Sequence, residues 1–349
     1  MSNYDQFAAA VKEISGGKNV VLLDDLGLPS VYVPINKLKN SEIISGGSEN
    51  THPAFSVDGV EKSRFLYSKY QNIVINGRAY SLSHRDPKTY VNFDQARQAC
   101  EAKGAGFHLG TLAEWAAVAL LTRKMGTMPH GNNNYGGDSA YTYEKGQESA
   151  KDNNKTGRTF TGSGPATWGH DHTQFGIQDM NGNVWEWLGG MCLNEGEIQI
   201  IPYNNAALGS ECDMSASSTL WKAIKNDGSL VAPGTAATLK YDFVSGNIQL
   251  TTGITSAQDA GRGGSYTAMT LASGVTAPEL AKALILYPDE PGKDYGGEYH
   301  WMNNAGERLP IAGGDWYDGA YAGVFYLNLN GARSYSYSNV GFRSAYVEL

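Results

Sequence analysis

The chain reads as an α+β protein of short strands, two capped helices and long irregular loops. Three observations lead there. Apolar residues recur in short runs broken by Asp58-Gly59 and Asn76-Gly77, pairs that favour tight hairpins. Two segments instead carry helical spacing with recognisable start and stop signals. Glycine is abundant, at 43 of 349 residues, and aromatics reach 11%, a mixture typical of long connections pinned by buried rings.

Bulk properties narrow the class. A chain of this length, 41% hydrophobic and 18% charged, can bury one large core or two ordinary ones. Its net charge of -8, with no run of Lys or Arg, argues against nucleic acid as a partner. Cys100, Cys192 and Cys212 are too few and too scattered for a disulfide framework or a metal-binding pair of thiols. They read as buried thiols, with a Cys192–Cys212 bridge left open. The most apolar run, residues 113–121, is too short to span a bilayer, and no basic stretch followed by an apolar core marks a standard signal peptide.

Residues 4–14 read as a helix stopped by Gly16 and Gly17, followed by apolar runs at 20–23 and 31–35 broken by Pro29 and Pro34. Residues 1–49 are thus expected to form a small module packed on the main domain or on a neighbouring subunit. The polar stretch "KNSEIISGGSENTHP" marks its end, and residues 50–349 form the main domain. Of the two helices, "FDQARQACEAKG" ends at Gly104, and "TLAEWAAVALLTRKMG" opens with a Thr111/Glu114 capping box. Leu112, Trp115, Ala116 and Ala119 share a helical face, which makes Trp115 a core residue. Residues 129–169 read as surface loops. Residues 194–261 read as an insertion with a hairpin about Ser245-Gly246-Asn247.

The tail is the most patterned segment. In "FYLNLNGARSYSYSN", residues 325–339, Phe325, Leu327 and Leu329 alternate with Tyr326, Asn328 and Asn330, as strand side chains do. After Gly331 and Arg333 the alternation resumes, Tyr335, Tyr337 and Asn339 against Ser334, Ser336 and Ser338, which predicts a second strand. Lys is absent from Asp294 onwards. A face of Tyr and Asn suits a recognition surface, since Tyr supplies rigid amphipathic area and Asn adaptable hydrogen bonds. An ordinary exposed strand pair explains the same alternation.

A resemblance separates the two. The ordered set "FDQARQACEAKG", "GFHLGTLAEWAAVA", "QDMNGNVWEWLGG", "GGDW" and "GFRSA" resembles the formylglycine-generating-enzyme type of C-type lectin fold over roughly residues 50–349. That likeness implies small twisted antiparallel sheets, two helices and much irregular chain. The enzymes it resembles oxidise a substrate cysteine with a pair of cysteines near the "GFR" element, whereas this chain has none after Cys212. Related iron-dependent sulfoxide synthases use a His cluster, and here only His170 and His172 form a close pair, with no third ligand recognisable. Related domains hold calcium near "NGNVWEW", so Asn181, Asn183 and Glu186 are candidate oxygen ligands, with hydrogen bonding to the turn as the competing role.

Residues 312–345 closely resemble the variable region of proteins diversified by diversity-generating retroelements, in which adenine-specific mutagenesis varies chosen positions on a fixed scaffold. The resemblance makes Trp316, Gly319, Gly323, Phe325, Leu327, Leu329, Arg333, Gly341, Phe342 and Arg343 scaffold. It implies a ligand-binding surface of Asp315, Tyr317, Asp318, Tyr321, Tyr326, Asn328, Asn330, Tyr335, Tyr337 and Asn339, with Ala320, Gly331 and Ser338 as further varied positions. The expectation is a non-enzymatic binder of a protein or surface receptor on a host or neighbouring cell. A phage tail is the expected location and a bacterial cell surface the alternative. A metal-dependent oxidase and a purely structural virion component are the rival classes. Avidity from a homo-oligomer would suit weak binding, although no coiled-coil heptads announce one.

Overall fold

The computed structural model describes residues 3–296 and 298–349. The Asx-Gly pairs form the expected turns. Asp58 and Gly59 (φ 50° and 73°) join Ser56–Val57 to Val60–Glu61, and Asn76 and Gly77 (φ 50° and 78°) join Ile73–Ile75 to Arg78–Tyr80. Ser245 and Gly246 likewise close the hairpin of Lys240–Val244 with Asn247–Thr251. Positive φ at both central residues matches the right-handed twist of the flanking strands. The excursion after residue 194 is built into an eight-stranded sheet that also recruits Thr270–Leu271 and Glu307–Arg308.

Both helices start where their caps place them. Thr111 Oγ1 accepts from Glu114 N and Glu114 Oε2 accepts from Thr111 N, opening the helix Leu112–Met125, and left-handed Gly126 closes it. A second capping box, Asn92 with Gln95, opens Phe93–Glu101. Trp115 is buried, and its Nε1 donates to the Val324 carbonyl at 2.7 Å, hooking the long helix to the tail.

Across the boundary expected at residue 50, the leading strands pair directly with the main domain. Beyond the helix Asn3–Ile14, the strands Val20–Leu23 and Pro29–Asn36 enter a five-stranded sheet with Arg64–Ser68, Ser344–Tyr346 and Phe107–Leu109. Tyr32 lies opposite Ser68 and Asn36 opposite Arg64. Pro34, read in the sequence as a break, sits past the end of the Val20–Leu23 partner, an edge position where a missing N–H is tolerated. The cysteines are all buried and free, so the bridge left open between Cys192 and Cys212 does not form. Among the described residues no helix is long and apolar enough to cross a membrane.

The tail enters a six-stranded sheet in the order Arg262–Ser265, Tyr299–Met302, Gly323–Leu329, Ile311–Gly313, Trp185–Trp187 and Val340–Phe342. Phe325, Leu327 and Leu329 face the core shared with the helix Leu112–Met125. Trp185, Trp187, Ile311, Tyr326, Val340 and Phe342 face the other core, where Phe93 meets Trp187 edge-on at 6.0 Å. The second strand expected over Tyr335–Asn339 is absent. Residues 331–339 run irregularly because their carbonyls serve neighbouring loops instead of a ladder: Phe93 N donates to Arg333 O, Tyr90 N to Tyr337 O and Arg158 Nη1 to Ser338 O.

At the end of the tail Arg343 is fully buried and meets Glu186 through two bonds of 2.6 Å. Its remaining donors reach the carbonyls of Ser68, Lys69, Gln178 and Asp179. One guanidinium thus joins three segments distant in sequence, around residues 68–69, 178–186 and 343. Removing one partner of a buried pair strands the other charge. Arg343→Met is therefore expected to lower stability by about 3–5 kcal/mol in a denaturant titration. Arg343→Lys should recover little of it, because a point ammonium cannot reproduce the planar fork.

Candidate functional site

The surface above the six-stranded sheet is framed by glycines and buried acids. Gly313 and Gly314 (φ 94° and 84°) turn the chain out of the Ile311–Gly313 strand, and a Cβ on Gly314 would stand 2.7 Å from that of Ala322. Residues 315–322 are then held from outside: Tyr135 N donates to Trp316 O, Gly319 N to Asn133 O and Trp316 Nε1 to Asp152. The polar loop 129–169 therefore buttresses the tail. Where the chain re-enters the sheet, the buried Glu298 carboxyl accepts from Phe325 N, and burial pushes that carboxyl well above the usual carboxylate range.

The ten residues of the expected surface separate into two layers. Tyr317, Tyr321, Tyr335 and Tyr337 are 39–56% exposed, Asn330 is exposed, and Asp318 and Asn328 are half-buried. Asp315, Tyr326 and Asn339 are buried and form a floor beneath them. This corrects the picture of ten solvent-facing positions. The second loop does not follow strand geometry, and Tyr326 is covered by neighbouring rings. Asp315 accepts from Tyr317 N at 2.9 Å and from Asn339 Nδ2 at 2.5 Å, and Asn339 Nδ2 also reaches the Tyr317 hydroxyl at 3.1 Å. The Tyr326 ring lies 4.5 Å from Trp185, and its hydroxyl accepts from Trp301 Nε1 at 3.0 Å. Asn328 and Asn330 engage local partners, Asn330 N and Asn303 Nδ2 respectively. Tyr335 and Tyr337 stack in parallel planes, 6.5 Å apart.

Three aromatic residues outside the expected set join this patch. Tyr299 packs on Tyr321 at 4.8 Å and on Trp301 at 5.3 Å, and Tyr90 lies 6.4 Å from Tyr337. The signal for the first two was the alternation in "YHWM", where His300 and Met302 point to the core and Tyr299 and Trp301 stay half-buried. Tyr90, in an irregular loop, gave no such signal. Of the residues expected as scaffold, Trp316, Gly323, Phe325, Leu327, Leu329, Gly341, Phe342 and Arg343 are buried. Arg333 fixes the start of the 331–339 loop through Glu307, Asp94 and the Met214 carbonyl.

The candidate metal ligands do not fit calcium. Glu186 spends both oxygens on Arg343, so a guanidinium already stands where a cation would sit. Asn183 Oδ1 accepts from Asn132 and Thr159, and Asn181 Oδ1 accepts from Asn133. These side chains instead tie the turn to Pro129, Asn132, Asn133, Thr159, Gln71 and Arg343, a role different from bonding the turn's own main chain. His170 and His172 also point apart, one accepting from Ile177 N and the other meeting the Met128 carbonyl. Among the described residues no group of three or more His, Cys, Asp or Glu is arranged to hold a metal ion.

Two outcomes follow from the frame and the floor. Arg333→Ala should speed amide hydrogen exchange across residues 333–337 while costing about 1–3 kcal/mol of global stability. Asp315 gives a pH signature. Burial raises its carboxyl from the ordinary 3.8 to about 6, against the opposing bonds from Tyr317, Asn339 and Trp185. The folded state therefore holds this proton more tightly than the unfolded chain. Its stabilising contribution is complete below pH 4 and is lost as pH rises through 6, by roughly 3 kcal/mol. Thermal unfolding of Asp315→Asn between pH 4 and 7 should lack that component of the slope.

No curated protein matches the chain significantly. Among solved structures it is similar to Treponema denticola variable protein 1, at 13% identity, covering 94% of this chain and 98% of that one with a TM-score of 0.34. It is also similar to the Major Tropism Determinant U1 variant (11% identity, 90% and 62% covered, TM-score 0.32) and I1 variant (12%, 94% and 71%, 0.33). The family model described as the sulfatase-modifying factor enzyme 1-like domain matches residues 38–272, two-thirds of the chain. The protein is therefore a member of the sulfatase-modifying factor enzyme 1-like family, with that family's C-type-lectin-like α+β fold.

Proposed function

We propose that this protein is a non-enzymatic binder whose C-terminal aromatic surface recognises a receptor on a host or neighbouring cell, and that this surface is diversified by a retroelement. The observation that carries the reading is the contrast between frame and surface. The loops 315–322 and 331–339 are fixed by glycines, by Arg333 and by main-chain bonds, while Tyr317, Tyr321, Tyr335 and Tyr337 project from them. Preorganised tyrosines lose little conformational freedom on binding and suit protein ligands. The resemblance of residues 312–345 to retroelement-varied segments supports the same reading, and the names of the similar structures, variable protein and tropism determinant, agree with it. Display on a phage tail is the location we favour.

The family includes enzymes, so thiol chemistry is the competing reading. It finds little support here. Burial pushes Cys212 up to about 11 and Cys100 and Cys192 well above the ordinary thiol range, which disfavours a reactive thiolate.

Labelled protein incubated with a panel of intact bacterial strains is expected to bind a subset. The double variant Tyr335→Ala/Tyr337→Ala should lose at least about tenfold in affinity for that subset, since exposed anchors of this kind dominate interfaces, with an unchanged circular dichroism spectrum. Undiminished attachment, or stoichiometric copper or iron with redox turnover, would overturn the reading. A near-copy of the gene's 3′ end beside a reverse transcriptase gene, differing at template adenines, is the genomic counterpart.

A further inference from the structure

The aromatic patch holds two carboxylates, Asp315 and Asp318, that no basic group among the described residues pairs with. Asp318 follows Tyr317 in the 315–322 loop and accepts from Asp315 N at 2.9 Å. The arginines of the tail are engaged elsewhere: Arg308 with Asp259, Arg333 with Glu307 and Asp94, and Arg343 with Glu186. Rings surround the acid. Tyr326 lies within its hydrogen-bonding reach, Trp301 donates to the Tyr326 hydroxyl, and Tyr299 links Trp301 to Tyr321. A further acceptor is unmet nearby. Asn339 is buried, and although its Nδ2 serves Asp315 and Tyr317, its Oδ1 has no partner.

Acceptors and π-faces in excess, with no cationic donor to match, define the complementary group. A guanidinium carries five donors and no acceptor, bonds carboxylates in the plane and stacks on aromatic faces. We propose that Asp318, with Tyr317 and Tyr326 against it and Trp301 and Tyr299 beyond Tyr326, receives an arginine side chain of the bound protein. This rests on the binding surface proposed above and specifies its partner's chemistry.

Protonation supports the assignment. Burial, and then the neighbouring Asp315 carboxylate, push Asp318 up to about 8. The titratable groups facing it are Asp315 and Tyr317 from its own loop and Tyr326 from the adjacent strand, with Tyr299 beside Tyr326 and Tyr335 beside Tyr317. All four tyrosines lie above the ordinary phenol range, so only the two aspartates change charge between pH 5 and 9. A bound guanidinium favours the ionised carboxylate and expels its proton. Arginine binding should therefore strengthen as pH rises from 6 to 8.

The test uses the full chain, N-acetyl-arginine methylamide as probe and the indole N–H signals of Trp301 and Trp185 as reporters. The citrulline analogue serves as the neutral isostere. We expect the arginine probe to shift the Trp301 signal, with an affinity gain of about tenfold or more from pH 6 to 8 and at least tenfold weaker binding of citrulline. Asp318→Asn should abolish both the preference and the pH dependence. Tyr321→Ala, at an exposed position, should weaken binding severalfold and serves if the first variant does not fold. No Trp301 response, equal binding of citrulline, or arginine binding indifferent to both variants overturns the proposal. Those failures are separable from failure of the surface itself, which is read by attachment of the Tyr335→Ala/Tyr337→Ala variant.

Discussion

The buried pair of Arg343 and Glu186 is the constraint on which the rest depends. Two charges have been taken out of water, and the fold offsets that cost by giving the guanidinium two carboxylate bonds and four main-chain carbonyls. Those partners come from the Trp185–Trp187 strand, the end of the Arg64–Ser68 strand and the turn before Asn181. The arginine sits just after the Val340–Phe342 strand, which runs parallel to Trp185–Trp187 with Glu186 opposite Gly341. Register is thereby fixed where the tail closes the domain, and a slip of one residue would carry the charge away from the Glu186 carboxylate.

From that anchor the tail runs back into two loops that divide their work by depth. The buried carboxyls of Asp315 and Glu298 satisfy main-chain donors, and Asn339 braces Asp315, so that together they set the path of the chain. Exposed rings stand above them. Tyr326 belongs to the lower layer, although the alternation of its strand places it on the same face as Asn328. The face is therefore a supported array, with Trp185 and Trp301 as props, and differs from a flat strand pair in having a floor made of titratable groups.

Much of this was legible in the sequence, for identifiable reasons. The Asx-Gly hairpins, the Thr111/Glu114 cap and the inward set Phe325, Leu327 and Leu329 follow from local chemistry that acts over a few residues. How the leading residues pack on the main domain was not legible, because pairing between residues 29–36 and 64–68 is a tertiary choice that no local signal announces. The second tail strand failed similarly: a period of two in Tyr335, Tyr337 and Asn339 describes the side chains, while the main chain found partners at Tyr90, Phe93 and Arg158. Asn181, Asn183 and Glu186 had suitable atoms for calcium, and only the three-dimensional position of Arg343 reveals that the charge was already answered. Tyr299 and Trp301 were visible as an alternation but lay outside the motif that drew attention to the tail.

One consequence follows from the way residues 331–339 are tethered. The carbonyls of Gly331, Arg333, Tyr337 and Ser338 carry the bonds that shape the loop, and a carbonyl is the same atom pair whatever side chain its residue bears. Positions 334–337 can therefore exchange chemistry without exchanging shape. The segment's sequence entropy is thereby decoupled from its structural entropy, so that most substitutions there change the surface without misfolding the chain.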